Sequence, residues 1–171
     1  PGDPRLASHP ARYALVELVN LHDRGLPFHP IHRVLFGAEE ADFLGGLAGC
    51  AAHRVYRHQS AQAAFEAVDA APADGHHRVA LVSPRGASVI EFLEPKASLA
   101  AATIQDCLDR FLKSRPSVGI DYIHGDESLA ALGTKPGNLG LYLPPVDKFS
   151  FFETVIRDGV MPRKTFSMGE A

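Results

Sequence analysis

The chain has 171 residues, of which 46% are hydrophobic and 22% are charged, and its formal net charge is −3. A chain of this length can bury about 70% of its unfolded surface, so it is long enough to form a hydrophobic core. Its hydrophobic content excludes an intrinsically disordered protein. The near balance of 17 basic and 20 acidic residues disfavours a general nucleic-acid binder, which needs a basic face. No apolar run approaches the roughly 20 residues of a membrane span.

The ends of the sequence suggest one domain of a longer protein. Residues 1–10 are polar and contain three prolines, and we expect a linker or frayed end there. Residues 11–171 are expected to form a single α/β domain, the C-terminal lobe of a longer protein. No signal peptide is visible, which favours a cytoplasmic location.

The two cysteines, Cys50 and Cys107, each lie among Ala and Leu in a predicted helix. This context predicts buried free thiols in a reducing cytoplasm. A catalytic or paired role is the alternative.

The first regular element is predicted at Arg12–Leu21, which is mostly apolar on both faces when read with a period of two. This pattern is typical of a central strand, although periodicity alone also permits a helix. Asp23-Arg24-Gly25 breaks the segment, and Pro27 and Pro30 favour extended backbone before them. A second strand is then predicted at Ile31–Phe36.

Helices are predicted from their capping residues and from apolar side chains at 3.6-residue spacing. One begins after Gly37, and a second is capped by Ser60. Ser98 is expected to cap a third, Asp126 a short fourth and Asp147 the last. The apolar face predicted for the last helix consists of Phe149, Phe152, Val155 and Ile156.

Strands fill most of the remaining chain. Val79–Val82 and Val89–Leu93 flank Ser83-Pro84-Arg85-Gly86, which suits a type I turn and predicts a β-hairpin. Further strands are predicted at Val118–Ile123 and Leu139–Leu143. The sequence therefore predicts an α/β or α+β fold, with helices packed on a mixed β-sheet that includes one hairpin.

Several stretches, in this order along the chain, resemble the C-terminal half of the domain-of-unknown-function family one thousand and fifteen. They are Val19-Asn20-Leu21-His22-Asp23, Pro30-Ile31-His32-Arg33, Asp121-Tyr122-Ile123-His124-Gly125, Leu143-Pro144-Pro145-Val146-Asp147-Lys148 and the closing stretch from Thr154 to Ala171. The resemblance runs from about Ala11 to the end and implies a missing N-terminal half. It also implies kinship with the ParB/sulfiredoxin-like group, which includes nucleotide-using enzymes and a kinase of free serine.

The resemblance implies an enzyme lobe for a small phosphorylated or amino-acid substrate. Serine or phosphoserine metabolism by kinase-like phosphoryl transfer is the expected setting, with ATP or ADP implied by kinship alone. A non-catalytic dimerisation or regulatory module is the first alternative, and a ParB-like nucleic-acid-associated protein is the second. The expected partners are a small-molecule substrate, the missing N-terminal half and a second copy, with no membrane.

Titratable side chains crowd the segment from Asn20 to Phe36. His32 and Asp23 are the candidate catalytic residues, because imidazole titrates near neutrality. Arg33 could grip a phosphate or carboxylate through two parallel hydrogen bonds, with Asn20 and His22 as further contacts. A surface ion pair is the alternative for Arg33. The histidines and Asp23 lack the spacing of an established metal site, so no metal is predicted.

Two further segments are candidate anion-binding sites. Arg163, Lys164, Thr165 and Ser167 supply two cations and two hydroxyls, a plausible anion clamp or else a solvated loop. We hypothesise that they converge with His32 and Arg33 on one wall. Asp74, His76, His77 and Arg78 match the phosphate-binding signature of the ParB-like group. In the family, however, that motif precedes the stretch that corresponds to Val19–Asp23. The match is therefore interpreted as a coincidence in a polar loop entering the hairpin, with phosphate binding as the alternative.

Overall fold

A computed structural model of the chain describes residues 9–10 and 13–168. Six strands form an antiparallel sheet in the spatial order β3-β5-β4-β7-β2-β6. They span His32–Phe36 (β2), His53–His58 (β3), His77–Ser83 (β4), Gly86–Phe92 (β5), Gly119–Ile123 (β6) and Asn138–Tyr142 (β7). A separate antiparallel pair joins Phe28–Pro30 (β1) to Phe166–Met168 (β8). The predicted α/β class with a hairpin is therefore confirmed, and the sheet is antiparallel.

Five α-helices accompany the sheets in the described residues. They span Glu40–Ala48 (α1), Ala61–Asp69 (α2), Ala100–Ser114 (α3), Asp126–Gly133 (α4) and Phe151–Asp158 (α5), the last preceded by a 3-10 turn at Lys148–Ser150. None of these helices is long and apolar enough to cross a bilayer.

The six-stranded sheet buries both of its faces because successive side chains of a strand point to opposite sides. Leu35 belongs to the core cluster formed with α1 and α3, on what we call the α3 face. Its neighbour Val34 belongs to the cluster formed with α2 and α4, on what we call the α2/α4 face. Each side chain of the central strands therefore lies on either the α3 face or the α2/α4 face.

Several local predictions are confirmed. The hairpin joins β4 to β5 with Ser83 opposite Gly86. Ser60 caps α2 by accepting a hydrogen bond from the Ala63 amide at 3.1 Å. Phe43 and Leu47 of α1 are buried. These features depend on neighbouring residues, which the sequence shows directly.

Three capping predictions are wrong. Helix α3 starts after Leu99, and the Ser98 hydroxyl instead donates to Asp158 at 2.9 Å. Asp147 caps the 3-10 turn rather than α5. Asp126 is the first residue of α4 and follows the cap position at Gly125. The cap position is shifted by one residue for Ser98 and Asp126, and by three residues for Asp147 because a 3-10 turn precedes α5.

The predicted apolar face of the last helix is not a core face. Phe149, Phe152 and Ile156 are 59%, 62% and 85% exposed, and the residue that α5 buries is Thr154. Periodicity identifies the amphipathic helix correctly but does not show whether the domain supplies a surface to cover it.

The predicted strand at Arg12–Leu21 is absent. Arg12 lies outside the described residues, and residues 13–20 are exposed and pair with none of the strands above. Leu15 is 103% exposed and Leu18 is 93% exposed. A strand requires a neighbouring strand to receive its backbone hydrogen bonds, and apolar alternation alone does not provide one.

The prediction of free thiols is also wrong, because Cys50 and Cys107 form a disulfide with a Cα–Cα distance of 5.6 Å. The bond ties the segment after α1 to the middle of α3. Residues 57 apart in sequence meet there, so sequence context could not show the proximity of the two thiols.

Candidate functional site

Arg33 is the central feature of the candidate site. It lies on β2 opposite Tyr122 of β6, on the α3 face, and is 0% exposed. Its Nε donates to Gln105 Oε1 at 3.4 Å, and its Nη2 donates to the Arg163 carbonyl at 3.3 Å. Nη1 donates to the Ile31 carbonyl, and the guanidinium carbon lies 5.3 Å from the centre of the Tyr122 ring.

The guanidinium of Arg33 is buried without a carboxylate partner among the described residues. Its hydrogen-bond acceptors are two carbonyl groups and one amide oxygen. Burial, opposed by Tyr122 and aided by the nearby charge of Arg163, lowers the pKa of Arg33 to about 10. Removing a charge from water costs several kcal/mol unless it is paired, so a buried, unpaired cation favours the arrival of an anion.

Arg163 extends the positive charge toward the surface. Its Nε donates to the Tyr122 hydroxyl at 2.8 Å and its Nη2 to Asp109 at 2.9 Å. Asp109 also accepts from Gln105 at 2.8 Å, which closes a network around Arg33. The hydrogen bond to Tyr122 and the charge of Asp109 raise the pKa of Arg163. Two guanidinium groups and one carboxylate leave one net positive charge.

Lys164 follows in an unusual backbone conformation. It is the one non-glycine residue with positive φ in the described chain, at 55°. This left-handed region costs an ordinary residue about 1 kcal/mol, and such strain is concentrated at functional sites. The lysine is exposed and lines a cavity of about 430 Å³. Arg33, Arg163 and Lys164 are called the basic site below.

The remaining clamp residues follow the basic site. Thr165 is buried, lines the same cavity and donates its hydroxyl to the Pro162 carbonyl at 2.6 Å. Ser167 lies in β8 opposite His29, and its buried hydroxyl oxygen has no hydrogen-bond partner in the described chain. The structure thus brings Arg33 into contact with Arg163, which lies 130 residues later in the chain.

His32 lies on the opposite, α2/α4 face, although it is the neighbour of Arg33. The Leu143 amide donates to its Nδ1 at 3.1 Å, which places the proton on Nε2, 3.4 Å from Asp126. Burial lowers the pKa of His32 to about 4. Since both ring nitrogens are engaged, this geometry gives His32 no free lone pair for proton abstraction, and it holds Asp126 in place.

Tyr142 completes the polar cluster on the α2/α4 face. Its ring stacks between Phe65 and His32, with centroids 4.3 and 4.5 Å away, and its hydroxyl donates to Asp69 at 2.8 Å. Burial and the neighbouring Asp69 raise the pKa of Tyr142, and burial raises the pKa of Asp69. This face therefore presents carboxylates, whereas the α3 face presents cations.

Asn20, His22 and Asp23 lie in a turn on another part of the surface. The Asn20 side chain accepts from the His22 amide at 3.0 Å, and the His22 ring lies 5.6 Å from that of Phe149. Lys148 donates to the Asp23 carbonyl. None of the contacts described for these three residues reaches the basic site, so the predicted roles of Asp23 and His22 remain predictions.

The phosphate-signature lookalike forms its own cluster at the start of β4. Arg78 Nη2 donates to Asp74 at 2.6 Å and to Glu91 at 2.5 Å, so its charge is already balanced by two carboxylates. His77 shares a hydrogen bond of 2.9 Å with Thr103. Ligand atoms of Asp74, His76 and Glu91 lie within 4.8 Å of one another and could hold a metal ion only if Arg78 moved away.

Sequence reasoning missed Gln105, Asp109 and Tyr122, which bind the two arginines. For Tyr122 a signal existed, because it lies in the stretch Asp121–Gly125 that the sequence analysis likens to a known family. Gln105 and Asp109 are four residues apart on α3, and such a pair on an amphipathic helix is usually an exposed surface pair. Gln105 is only 5% exposed, which the helical pattern does not reveal.

Comparison with known proteins places part of the chain in a family context. Residues 2–58 match the family model described as Protein of unknown function (DUF1015). No curated protein matches the chain significantly.

Solved structures share the fold over most of the chain. A conserved hypothetical protein from Pyrococcus furiosus matches with a TM-score of 0.63 and 16% identity, covering 88% of this chain and 59% of that one. A substituted free serine kinase in complex with ADP matches with a TM-score of 0.63 and 14% identity, covering 88% and 57%. Free serine kinase in complex with AMP gives 0.62 and 12%, with the same coverage. The chain therefore spans under three fifths of these neighbours.

Proposed function

We propose that this chain is one lobe of an enzyme that binds a small phosphorylated or amino-acid substrate, with the anionic group of that substrate at the basic site. The main support is the buried Arg33 guanidinium, whose hydrogen bonds go to neutral oxygen acceptors only. A phosphate or carboxylate reaching the site would supply the missing counter-charge. Lys164 and Arg163 would extend the grip toward solvent.

Serine and phosphoserine are the proposed substrates, with kinase-like phosphoryl transfer as the proposed reaction and ATP or ADP as the proposed nucleotide. Support comes from the shared fold, since free serine kinase is among the structural neighbours and is bound there to ADP or AMP. In phosphoryl transfer, cationic side chains stabilise the charge on the transferring oxygens without forming bonds. Arg163 and Lys164 are the residues proposed for that role.

A thermal-shift screen of the protein with serine, phosphoserine, ATP and ADP tests the proposal. A ligand that binds the folded state raises the melting temperature by mass action, and we expect phosphoserine or a nucleotide to do so. Lys164→Gln should weaken the binding of that ligand by roughly tenfold or more, since a charge-assisted hydrogen bond contributes about 1.5–3 kcal/mol.

Lys113→Gln is the matched control, because Lys113 is an exposed lysine in the last turn of α3. It should leave the shift unchanged. If none of the four compounds moves the transition, the proposal is wrong. The same conclusion follows if both lysine variants behave like the parent protein.

A dimerisation or regulatory module is the second candidate function. It is favoured by the large apolar side chains left exposed around α5, including Phe152 and Ile156. Exposed apolar surface of this kind marks interaction sites in soluble proteins. Light scattering after gel filtration tests it, with a dimer expected for this candidate and a monomer for the enzyme lobe alone.

A cytoplasmic location is part of the first proposal, and the Cys50–Cys107 disulfide bears directly on it. In the cytoplasm of mesophiles, disulfides are mostly transient. Alkylation of free thiols in rapidly quenched cells should therefore label both cysteines. Complete protection of both would place the protein in an oxidising compartment.

A further inference from the structure

Residues 13–20, called the arm, are the most anomalous segment of the described chain. Tyr13, Leu15, Val16 and Leu18 are 74%, 103%, 71% and 93% exposed. No strand pairs with the arm, and no helical turn forms in it. An unpaired apolar segment is a template for aggregation, and native proteins cover such segments.

The pattern of the arm indicates how it is covered. Leu15 and Val19 alternate with Val16 and Leu18, so both faces of an extended arm are mostly apolar, with Glu17 as the charged residue of the first face. Strands with this pattern lie inside a sheet and are packed on both sides. A helix of eight residues would be only marginally stable in water, and the turn at Asn20 ends the segment with a side-chain acceptor for the His22 amide at 3.0 Å.

A second exposed apolar surface is linked to the end of the arm by side-chain contacts. The His22 ring, just beyond the arm, stacks 5.6 Å from Phe149, and Lys148 donates to the Leu26 carbonyl at 3.1 Å. These contacts join the end of the arm to the 3-10 turn that precedes α5. Phe152 and Ile156 continue the apolar strip along α5. One partner could therefore cover the arm and this strip together.

We propose that the arm is a strand of a β-sheet in a further domain of the same polypeptide, and that this domain rests on the apolar strip of α5. Chain length supports a further domain as the covering partner, because the solved neighbours match 88% of this chain with only 57–59% of their own length. Their remaining length is enough for another domain. Pairing would supply hydrogen-bond partners to the arm's backbone and burial to its side chains. This proposal does not depend on the basic site.

Hydrogen exchange on the natural-length gene product and on the 171-residue chain tests the proposal. In the natural-length protein, the amides of residues 14–19 should exchange slower than an unstructured peptide by on the order of a thousandfold. In the 171-residue chain they should exchange within about tenfold of the unstructured rate. Unprotected amides in the natural-length protein would overturn the proposal. Equal protection in the shorter chain, with dimer formation, would assign the arm to a second copy instead.

Paired variants separate docking from general destabilisation. Leu15→Glu with Leu18→Glu should leave the melting temperature of the 171-residue chain unchanged, because both side chains are exposed there. In the natural-length protein the same pair should abolish the arm's protection. Val55→Glu is the matched control, an apolar residue of edge strand β3 with 37% exposure, and it should not affect the arm in either protein. Retained protection in the double variant would overturn the proposal.

Discussion

The two faces of the six-stranded sheet differ in charge and in how they are held together. On the α3 face, Arg33 and Arg163 leave a net positive charge and a disulfide fixes α3 to the segment after α1. On the α2/α4 face, a stacked tyrosine and a neutral histidine hold two carboxylates, Asp69 and Asp126. An anion would therefore meet positive charge beside Arg33 and Arg163 and negative charge beside Asp69 and Asp126. His32 and Arg33 are neighbours on one strand, yet their side chains lie in electrostatic environments of opposite sign.

The largest effect is expected from removing the Cys50–Cys107 disulfide, which ties α3 to the segment after α1. The disulfide closes a loop of 57 residues, and loop-closure entropy predicts that its loss costs about 4 kcal/mol. Cys50→Ala with Cys107→Ala should lower the unfolding free energy by roughly that amount in urea denaturation. Reductant should destabilise the parent protein similarly and leave the double variant unchanged. Equal stability of oxidised and reduced parent protein would contradict the account.

The next effect tests the neutral histidine of the α2/α4 face. Its pKa is about 4 when folded, against 6.5 for the ordinary side chain, so the unfolded chain binds the proton first as the pH falls. Stability from His32 is therefore present above pH 6.5 and is lost between about pH 6.5 and 4, by roughly 3 kcal/mol. Unfolding free energies measured across this range should fall less steeply for His32→Gln. Identical slopes would rule out a buried neutral imidazole.

A third change tests how closely α4 approaches the sheet. A Cβ added at Gly133 would lie 2.9 Å from the Gly140 amide nitrogen, which is backbone and cannot yield cheaply. Gly133→Ala should therefore destabilise the fold by about 1–3 kcal/mol. Gly45→Ala, in α1 with open space around its Cβ, should stabilise it by up to about 1 kcal/mol. In thermal denaturation, a lower melting temperature for Gly133→Ala and a higher one for Gly45→Ala would support the close packing. Changes of the same sign in both variants would count against it.

The smallest effect concerns the hydroxyl of Tyr142. Tyr142→Phe keeps the stacking on His32 and Phe65 but removes the hydrogen bond to Asp69, and we expect a loss of about 1 kcal/mol. Tyr56→Phe, at a 45% exposed tyrosine bonded to Glu91, should cost less. Chemical denaturation of the two variants side by side compares their unfolding free energies. A larger loss for Tyr56→Phe than for Tyr142→Phe would contradict the prediction.

Local sequence signals predicted the fold better than they predicted the site. The Ser60 cap and the hairpin at Ser83–Gly86 depend on residues within one turn, so the sequence contains them whole. The arm and the α5 face were assigned to the core because periodicity reports which side chains are apolar, not what covers them. The two thiols were misassigned for a related reason, since their meeting depends on the packing of α1 against α3.

The candidate site divides in the same way. The hypothesis that Arg33 lies near Arg163 came from the resemblance proposed for both stretches, of which the family model matches the first, within residues 2–58. The assignment of His32 and Arg33 to one wall overlooked strand alternation, which places adjacent side chains on opposite faces. Gln105 lies 72 residues from its partner Arg33, and Asp109 lies 54 residues from its partner Arg163, so no local pattern points to them.

The central claim is that an anion binds at Arg33, Arg163 and Lys164, and an NMR titration with phosphate and phosphoserine tests it most directly. The side-chain Nε–H resonances of Arg33 and Arg163 and the amides of Lys164 and Thr165 should shift together and saturate along one binding curve. Resonances of Asp126 and Tyr142, on the opposite face, should stay in place. Shifts confined to other residues, or none at tens of millimolar ligand, would contradict the claim.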